Sequence, residues 1–135
     1  MRRATEGDLE HIVELGAKFH AYSPWAEVPY DVEAVRGVAQ ACLDHGAVFV
    51  TADGMCGGII QPLYFSPGVM IGAELFWWAP SQGGEMRAAF EAWAKGAGAY
   101  AVQFSALGDD RAKGTARLYR MAGFTPAETV YLKRL

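Results

Sequence analysis

The sequence predicts a single mixed α/β domain, in which a sheet of about six strands is flanked by about four helices. Two observations lead to this fold class. Apolar residues recur at helical spacing over the first 45 residues, and from Ala47 onward the pattern becomes that of strands, interrupted by two further helices. At 135 residues the chain has the size of one domain and is long enough for one hydrophobic core. No repeat or linker is visible, so we expect one domain over residues 1–135.

Two helices are predicted before the main sheet. Residues 2–4 form a very short strand candidate, and residues 5–8, TEGD, are typical of a capping box that starts a helix. This first helix ends at Ser23-Pro24, because the residue before a proline avoids the helical region. Asp31 is a capping residue for the second helix, which ends near His45-Gly46.

Further strands and two more helices follow. The segments AVFVTA and MCGGIIQPLYF, separated by Asp53-Gly54, indicate a β-hairpin. Ser66-Pro67-Gly68 predicts a turn before VMIGAELFWW, the longest strand candidate. A glycine loop and a helix then lead to YAVQFSAL, a mostly buried strand, and such a unit predicts a parallel pair with a right-handed crossover. A last helix over residues 111–122, with Gly123 as its C-terminal signal, precedes the closing strand ETVYLKRL.

Composition and charge exclude several classes of function. The net charge of -3 makes nucleic acid an improbable partner, since binders of nucleic acid carry broad basic surfaces. The longest apolar stretch near the Trp pair is far shorter than a membrane helix, and no signal core follows Met1, so we expect a cytoplasmic protein without membrane contact. Cys42 and Cys56 lack metal-type spacing and the three histidines are scattered, so no metal is expected.

Three segments carry a resemblance to a known family. They are RRATEGDLEHIVEL at the N-terminus, ELFWWAPSQGGEMRAAFEAWAKGAGA in the middle, and LYRMAGFTPAETVYLKRL at the C-terminus, of which the last is the most specific. Together with the element order, they resemble the GNAT (Gcn5-related N-acetyltransferase) superfamily over essentially the whole chain. The resemblance implies an enzyme that uses acetyl-CoA as cosubstrate and needs no metal. It would transfer the acetyl group to a primary amine of a small molecule or peptide, by direct attack in a ternary complex, as a monomer or homodimer.

The segment SQGGEMR is the candidate cofactor loop. Unpaired amides at a helix start bind anions, and Gln82, Gly83 and Gly84 allow a pyrophosphate to approach them. Glu85 favours the helix but opposes a phosphate, and Arg87 is placed to offset that charge. Both residues stand where the family has small ones, and a plain turn between strand and helix is the alternative. By the resemblance, the cofactor-binding residues are Phe76, Trp77, Trp78, Gln82, Gly83, Gly84, Glu85, Met86 and Arg87.

Glu74 and Tyr119 are the candidate catalytic residues. Glu74 is the only ionisable residue between Val69 and Pro80, and burial would raise its pKa towards that of a general base for an ammonium substrate. The alternative is a carboxylate held by an arginine or a backbone donor. The Tyr119 phenol is suited to protonating the departing thiolate, or else it is a core aromatic. The basic run Arg111, Lys113 and Arg117 reads more simply as a solvated face than as a site for the 3′-phosphate.

The resemblance also implies a pocket for the acceptor, lined by aromatic residues that hold an amine by cation–π contact or else belong to the core. These residues are His20, Tyr22, Trp25, Tyr64, Phe65 and Trp77. Two other functions stay open. One is a catalytically silent acyl-CoA-binding or protein-interaction module, favoured by Glu85 and Arg87. The other is a domain that binds no nucleotide, which requires the SQGGEM loop to be closed by its own side chains.

Overall fold

The computed structural model describes residues 1–108 and 112–135 of the chain. These residues fall into two units, Met1–Ser105 and Ala106–Leu135. The first unit contains the sheet and three of the four predicted helices, and the second contains the last helix. None of the described helices is long and apolar enough to cross a membrane. Arg111, the first residue of the basic run, lies outside the described residues.

The sheet has five strands that follow one another in chain order. They are β1 Arg2–Arg3, β2 Gly46–Val50, β3 Met55–Leu63, β4 Ser66–Trp78 and β5 Ala101–Gln103. The first four strands pair antiparallel, and β5 runs parallel to β4. The predicted hairpin and the predicted parallel pair are therefore both confirmed.

The first two helices begin just after the predicted capping residues. The helices are α1 Leu9–Tyr22, α2 Val32–His45 and α3 Gly83–Gly96 in the first unit, and α4 Ala112–Met121 in the second. A 3₁₀ turn over Glu6–Asp8 precedes α1, and the Asp8 carboxylate accepts the Thr5 N–H at 2.8 Å. The Asp31 carboxylate accepts the Ala34 N–H at 3.0 Å, which satisfies one of the open amides at the start of α2.

The two faces of the sheet carry separate apolar clusters. The cluster under α1 and α2 contains Ile12, Leu15, Ala39, Cys42, Val48, Val50, Met55 and Phe76. The cluster under α3 contains Ala47, Phe49, Cys56, Met86 and Phe90. Successive residues of β2 alternate between the two clusters, as strand side chains must. Because both faces are covered by helices, every residue of β2 is buried.

The turn before β4 differs from the prediction. Tyr64 and Phe65 connect the strands, because β4 already begins at Ser66, which pairs with Leu63. Ser66-Pro67-Gly68 is thus part of the strand and not the turn. A proline is compatible with this end of β4, where the strand has a neighbour on one side only.

The last two predicted strands are also corrected. The segment predicted as a mostly buried strand contains only the three residues of β5, and of these only Val102 is partly buried, because β5 ends the described sheet with β4 on one side. Residues 124–135 contain no strand, although ETVYLKRL alternates, and Val130 and Tyr131 are exposed. An alternating pattern becomes a strand only where a neighbouring backbone pairs with it. The sheet therefore has five described strands and not six.

Candidate active site

The site is built around the place where β4 and β5 part. Their ladder pairs Ile71 with Ala101, Gly72 with Val102 and Ala73 with Gln103, and it ends there. Beyond Ala73, β4 continues over residues 74–78 with β3 as its only partner among the described strands. Backbone groups on the other edge of this segment therefore face a gap where β5 no longer pairs.

Glu74 is the first residue of β4 beyond the last rung of this ladder. Its Oε2 accepts two hydrogen bonds from Ser105, one from the backbone N–H at 3.0 Å and one from the hydroxyl at 2.9 Å. Burial raises the pKa of Glu74, and the two Ser105 hydrogen bonds partly oppose this rise because they favour the ionised form. The carboxylate is thus held by a backbone donor, as one alternative predicted, and its pKa is shifted upwards, the direction that favours a general base.

An irregularity in β4 separates Glu74 from the aromatic residues that follow it. Gly58 pairs with Glu74 and Gly57 pairs with Phe76, so Leu75 is an extra residue, as in a β-bulge. Phe76 consequently lies in the cluster under α1 and α2. Glu74 lies on the other face, together with Gly72, whose missing side chain would meet Ala94 of α3.

Cys56 is the titratable neighbour of Glu74 on β3. It is fully buried under α3, and both its burial and the charge of Glu74 raise its pKa. The Cys56 thiol is therefore neutral and acts as a core side chain, not as a nucleophile. Cys42 is also buried, with its pKa raised to about 11 by desolvation.

The segment Phe76 to Trp78, part of the predicted cofactor site, has its side chains in both apolar clusters; the resemblance implies that its main chain holds the pantetheine arm of the cofactor. Phe76 is buried, Trp77 packs edge-on against Phe104 at 5.5 Å, and the Trp78 ring lies 5.0 Å from that of Tyr22. These side chains are packing residues. Only their main chain remains to contact a ligand, which is the role that the resemblance implies.

The loop before α3 is held at its start by the hairpin turn that joins β2 and β3. The Ser81 hydroxyl donates to Asp53 Oδ1 at 2.9 Å, and the Thr51 hydroxyl donates to the same oxygen at 3.0 Å. Gln82 follows with φ 54, in the left-handed region that residues other than glycine rarely adopt. The hairpin turn between β2 and β3 thus anchors the loop at Ser81.

The start of α3 is open beyond this anchor. The first intrahelical hydrogen bond runs from the Met86 N–H to the Gln82 carbonyl at 3.1 Å, so the amides before Met86 lie at the uncapped end of the helix. A side chain at Gly83 would lie 3.2 Å from Ala79 and 3.3 Å from Trp77, whereas one at Gly84 would meet nothing within 4 Å. The loop is therefore not closed by its own side chains at Gly84, which is the approach that an anion requires.

The last three residues of the predicted loop have different surroundings. Met86 is fully buried in the cluster under α3, and its N–H already donates to the Gln82 carbonyl. It therefore contributes packing and not a ligand contact. Arg87 forms an ion pair with Glu91 one turn along the helix. Glu85 is exposed in the first turn, where its charge suits the helix dipole.

The predicted acceptor pocket is not assembled as expected. Tyr64 and Phe65 are exposed at the hairpin tip, and Trp77 lies at the far end of β4, opposite Cys56, which puts them roughly 25 Å apart along the strand. Tyr22 and Trp78, by contrast, are in contact beside the gap end of β4. The sequence shows that these residues lie in or beside strands, but not at which end of the sheet each of them lies.

Two buried nitrogen atoms near Tyr22, one at the end of α1 and one at the end of β4, have no hydrogen-bond partner in the described part of the chain. These atoms are His20 Nε2 and Trp78 Nε1. The His20 ring lies 5.4 Å from that of Tyr30. Trp25 is half exposed in the connection that follows α1. A buried polar atom without a hydrogen bond costs free energy, so a polar group that binds here would be stabilised by hydrogen bonds to these nitrogen atoms.

Tyr119 belongs to the second unit. It lies on α4, is partly buried, and its ring contacts that of Phe124 at 5.2 Å. The Phe124 N–H donates to the Tyr119 carbonyl at 3.0 Å, and Gly123 between them has φ 87, which confirms the predicted glycine signal at the end of this helix. Lys113 and Arg117 are exposed on α4, consistent with a solvated face.

Ser105 and Asp53 are the site residues that sequence reasoning missed. Ser105 is 31 residues from Glu74, and Asp53 is 28 residues from Ser81. The only signal for Ser105 was its position just after a strand parallel to β4, because the ends of neighbouring parallel strands lie side by side.

The fold has known counterparts, although no protein-family model and no curated protein sequence matches the chain. AAC(6')-Iy, solved in complex with the bisubstrate analogue CoA-S-monomethyl-acetylneamine, is 19% identical, with a TM-score of 0.72 over 99% of this chain and 95% of that one. An acetyltransferase from Trypanosoma brucei is 20% identical, with a TM-score of 0.66 over 99% and 97%. The chain has a GNAT-like acetyltransferase fold. A transcriptional regulator from Bacillus halodurans, 17% identical, also matches, with a TM-score of 0.69 over 99% and 97%.

The shared fold confirms the fold that the resemblance of the three sequence segments implies. It does not by itself give a reaction, since one fold supports several functions and these identities are low. In the described residues, no group of three or more His, Cys, Asp or Glu side chains is arranged to hold a metal. The roles of Glu74 and Tyr119 remain predictions.

Proposed function

We propose that the chain is an acetyl-CoA-dependent N-acetyltransferase that moves the acetyl group to a primary amine by direct attack in a ternary complex. The observation that carries the proposal is the gap between β4 and β5, which begins at the partly buried carboxylate of Glu74. A carboxylate of raised pKa at the point where the two strands part is suited to deprotonating a bound ammonium. AAC(6')-Iy, which shares the fold, was solved with CoA bound.

In the proposed mechanism, Glu74 accepts a proton from the substrate ammonium through Oε1, since Oε2 is occupied by Ser105. The neutral amine then forms a C–N bond to the acetyl carbonyl carbon, the C–S bond breaks, and the nitrogen releases its second proton to solvent. The family resemblance implies that the Tyr119 phenol donates the proton that the departing thiolate takes up, and that solvent reprotonates it. The products are an acetamide and the free thiol, and positioning of the two substrates supplies much of the remaining rate.

The start of α3 would hold the pyrophosphate. Open amides and the helix dipole favour an anion there, and the free approach at Gly84 lets it come close to the backbone. The main chain of residues 76–78 would align the pantetheine arm along the gap. The acceptor amine, of a small molecule or a peptide, would lie towards Tyr22 and Trp78, where aromatic faces and unpaired buried nitrogen atoms are available.

Two measurements test this function. Acetyl-CoA should raise the melting temperature, because a ligand that binds only the native state stabilises it by mass action. Thiol release should then appear with one or more members of a panel of primary amines. Glu74→Gln should retain the melting shift but lose roughly a hundredfold or more of kcat. Its amide oxygen can still accept from Ser105, so the strand gap is preserved.

Glu14→Gln is the matched control, because Glu14 is an exposed carboxylate on α1. It should match the wild type in both measurements. Equal activity of Glu74→Gln and the wild type would contradict the role of Glu74 as base. The absence of any melting shift at ligand concentrations far above micromolar would contradict the acetyl-CoA site itself.

A second candidate is a silent module that binds acyl-CoA without transferring the acyl group. The observation that favours it is the surroundings of Glu85 and Arg87: the arginine is paired with Glu91 along the helix, so the charge of Glu85 is not offset at the loop. Binding of acetyl-CoA without thiol release for any amine, and no difference between Glu74→Gln and the wild type, would identify this function.

A further inference from the structure

Ser105 occupies an unusual place beside the candidate base. The β4–β5 ladder ends at Ala73 and Gln103, and Ser105 lies two residues beyond that last rung. Its N–H and its hydroxyl both donate to one oxygen of Glu74, at 3.0 Å and 2.9 Å. A side-chain contact thus replaces the backbone ladder where the two strands part.

Both donors act on the same oxygen. Among residues 1–108 and 112–135, Glu74 Oε1 has no hydrogen-bond partner, whereas Oε2 has two. A carboxylate fixed through one oxygen keeps its rotamer while the other oxygen stays available for proton transfer. Oε2 therefore holds the Glu74 carboxylate in place, and Oε1 is the oxygen that can accept a proton.

We infer that Ser105 is a positioning residue for the proposed reaction, because it fixes the Glu74 carboxylate through Oε2 and leaves Oε1 to accept the substrate proton. The inference rests on the proposed function, in which Glu74 is the base. It adds a residue that neither the family resemblance nor the sequence pattern indicated, and it assigns a reason for the hydroxyl at this position.

The charges around Glu74 make a pH readout interpretable. On β3 the titratable neighbour is Cys56, a buried thiol that is neutral over the working range. The charged side chains of α3 that the structure describes, Glu85, Arg87, Glu91 and Lys95, are not among the causes of the Glu74 pKa shift, and β5 itself has no ionisable residue. Burial and Ser105 are therefore the two influences that set this pKa.

The sign of the effect follows from the donors. A hydrogen bond to a carboxylate stabilises its ionised form, so loss of the Ser105 hydroxyl should raise the pKa of Glu74 further. A base must be ionised to accept a proton, and the acidic limb of the pH profile should then move to higher pH. At high pH, where Glu74 is ionised in both proteins, the difference in rate should become small.

The experiment compares Ser105→Val with Ser105→Thr, which have nearly the same shape and differ in the hydroxyl. Ser105 is exposed, so neither change should disturb the core. The pKa of Glu74 is measured by ¹³C NMR titration of its carboxyl carbon. We expect a higher pKa in Ser105→Val and the wild-type pKa in Ser105→Thr. Ser66→Ala, at the opposite end of β4, should leave the titration unchanged.

The second readout is the pH profile of kcat/KM with acetyl-CoA and the best amine of the panel. In Ser105→Val we expect a loss of roughly tenfold on the acidic limb, near-wild-type rates at high pH, and an unchanged KM for acetyl-CoA. Ser105→Thr should restore the wild-type profile. A Ser105→Val profile parallel to that of the wild type, or an unchanged Glu74 titration, would overturn the inference.

The two proposals fail in different ways. A wild-type protein that acetylates no amine contradicts the proposed function, while the NMR titration still decides whether Ser105 fixes the carboxylate. An active wild type, with the same Glu74 titration in the Val and Thr variants, contradicts the role of Ser105 and leaves the proposed function standing.

Discussion

Substitution of Gly84 should separate cofactor binding from stability. Gly84 and Gly96 lie at opposite ends of α3, neither has a positive φ, and a Cβ added at either would meet nothing within 4 Å. In the free protein, alanine at either position should therefore be neutral or stabilising by up to about 1 kcal/mol, through its higher helix propensity. Any loss of ligand affinity at Gly84 then comes from the ligand and not from unfolding.

The expected loss of affinity can be worked out from the backbone contacts. A methyl group at Gly84 would keep a phosphate from the amides at the start of α3, which removes one hydrogen bond to a charged group, worth about 1.5–3 kcal/mol. This corresponds to roughly a tenfold to hundredfold rise in the Kd of acetyl-CoA. Isothermal titration calorimetry measures the Kd, and thermal unfolding without ligand gives the stability.

Gly96→Ala is the matched control, with unchanged Kd and the same small effect on melting temperature. If Gly84→Ala binds acetyl-CoA with the wild-type Kd, the phosphate does not approach α3 at this residue. If both variants weaken binding equally, the effect is on the helix as a whole. Either result would refute the assignment of the SQGGEMR segment as the pyrophosphate loop.

Three further predictions concern stability. Gln82→Gly should stabilise by about 1 kcal/mol in thermal unfolding, because it relieves a left-handed φ, and Gln82→Ala should not. Gly58→Ala should destabilise by about 3 kcal/mol or more in urea, since its Cβ would meet backbone of β4, whereas Gly68→Ala, in open space, should change little. The Arg2 hydrogen bond lowers the pKa of Asp8, so Asp8→Asn should destabilise at neutral pH and progressively less below about pH 4, where the carboxyl of the unfolded wild-type chain becomes protonated before that of the folded one.

Local patterns predicted the elements whose signals lie within a few residues. Thr5 and Asp31 marked helix starts, Asp53-Gly54 marked the hairpin, and Gly123 marked the end of α4, because capping and turn chemistry act between near neighbours. The closing strand ETVYLKRL was wrong for the complementary reason. Strand formation depends on a partner backbone elsewhere in the chain, which no local pattern specifies.

Only part of the candidate site could be predicted, again because contacts between distant parts of the chain leave no local pattern. Glu74 was identified because it is a lone carboxylate in an apolar strand, and its raised pKa agrees with that expectation. Its Ser105 partner, 31 residues away, was invisible because their proximity depends on the parallel register of β4 and β5. The i,i+4 spacing of Arg87 and Glu91 is typical of an ion pair along a helix, and the structure contains that pair. The sequence prediction instead gave Arg87 a role at the phosphate.

The bulge at Leu75 explains how β4 contributes side chains to both apolar clusters and to the candidate site. In a regular strand, Glu74 and Phe76 would point to the same face. The extra residue places Phe76 under α1 and α2, while Glu74 stays on the face of α3, near Cys56. Without the bulge, either the carboxylate would enter the α1–α2 core or Phe76 would leave it. The base and the aromatic anchor therefore depend on the same irregularity, which GAELFWW, almost wholly apolar, cannot reveal by alternation.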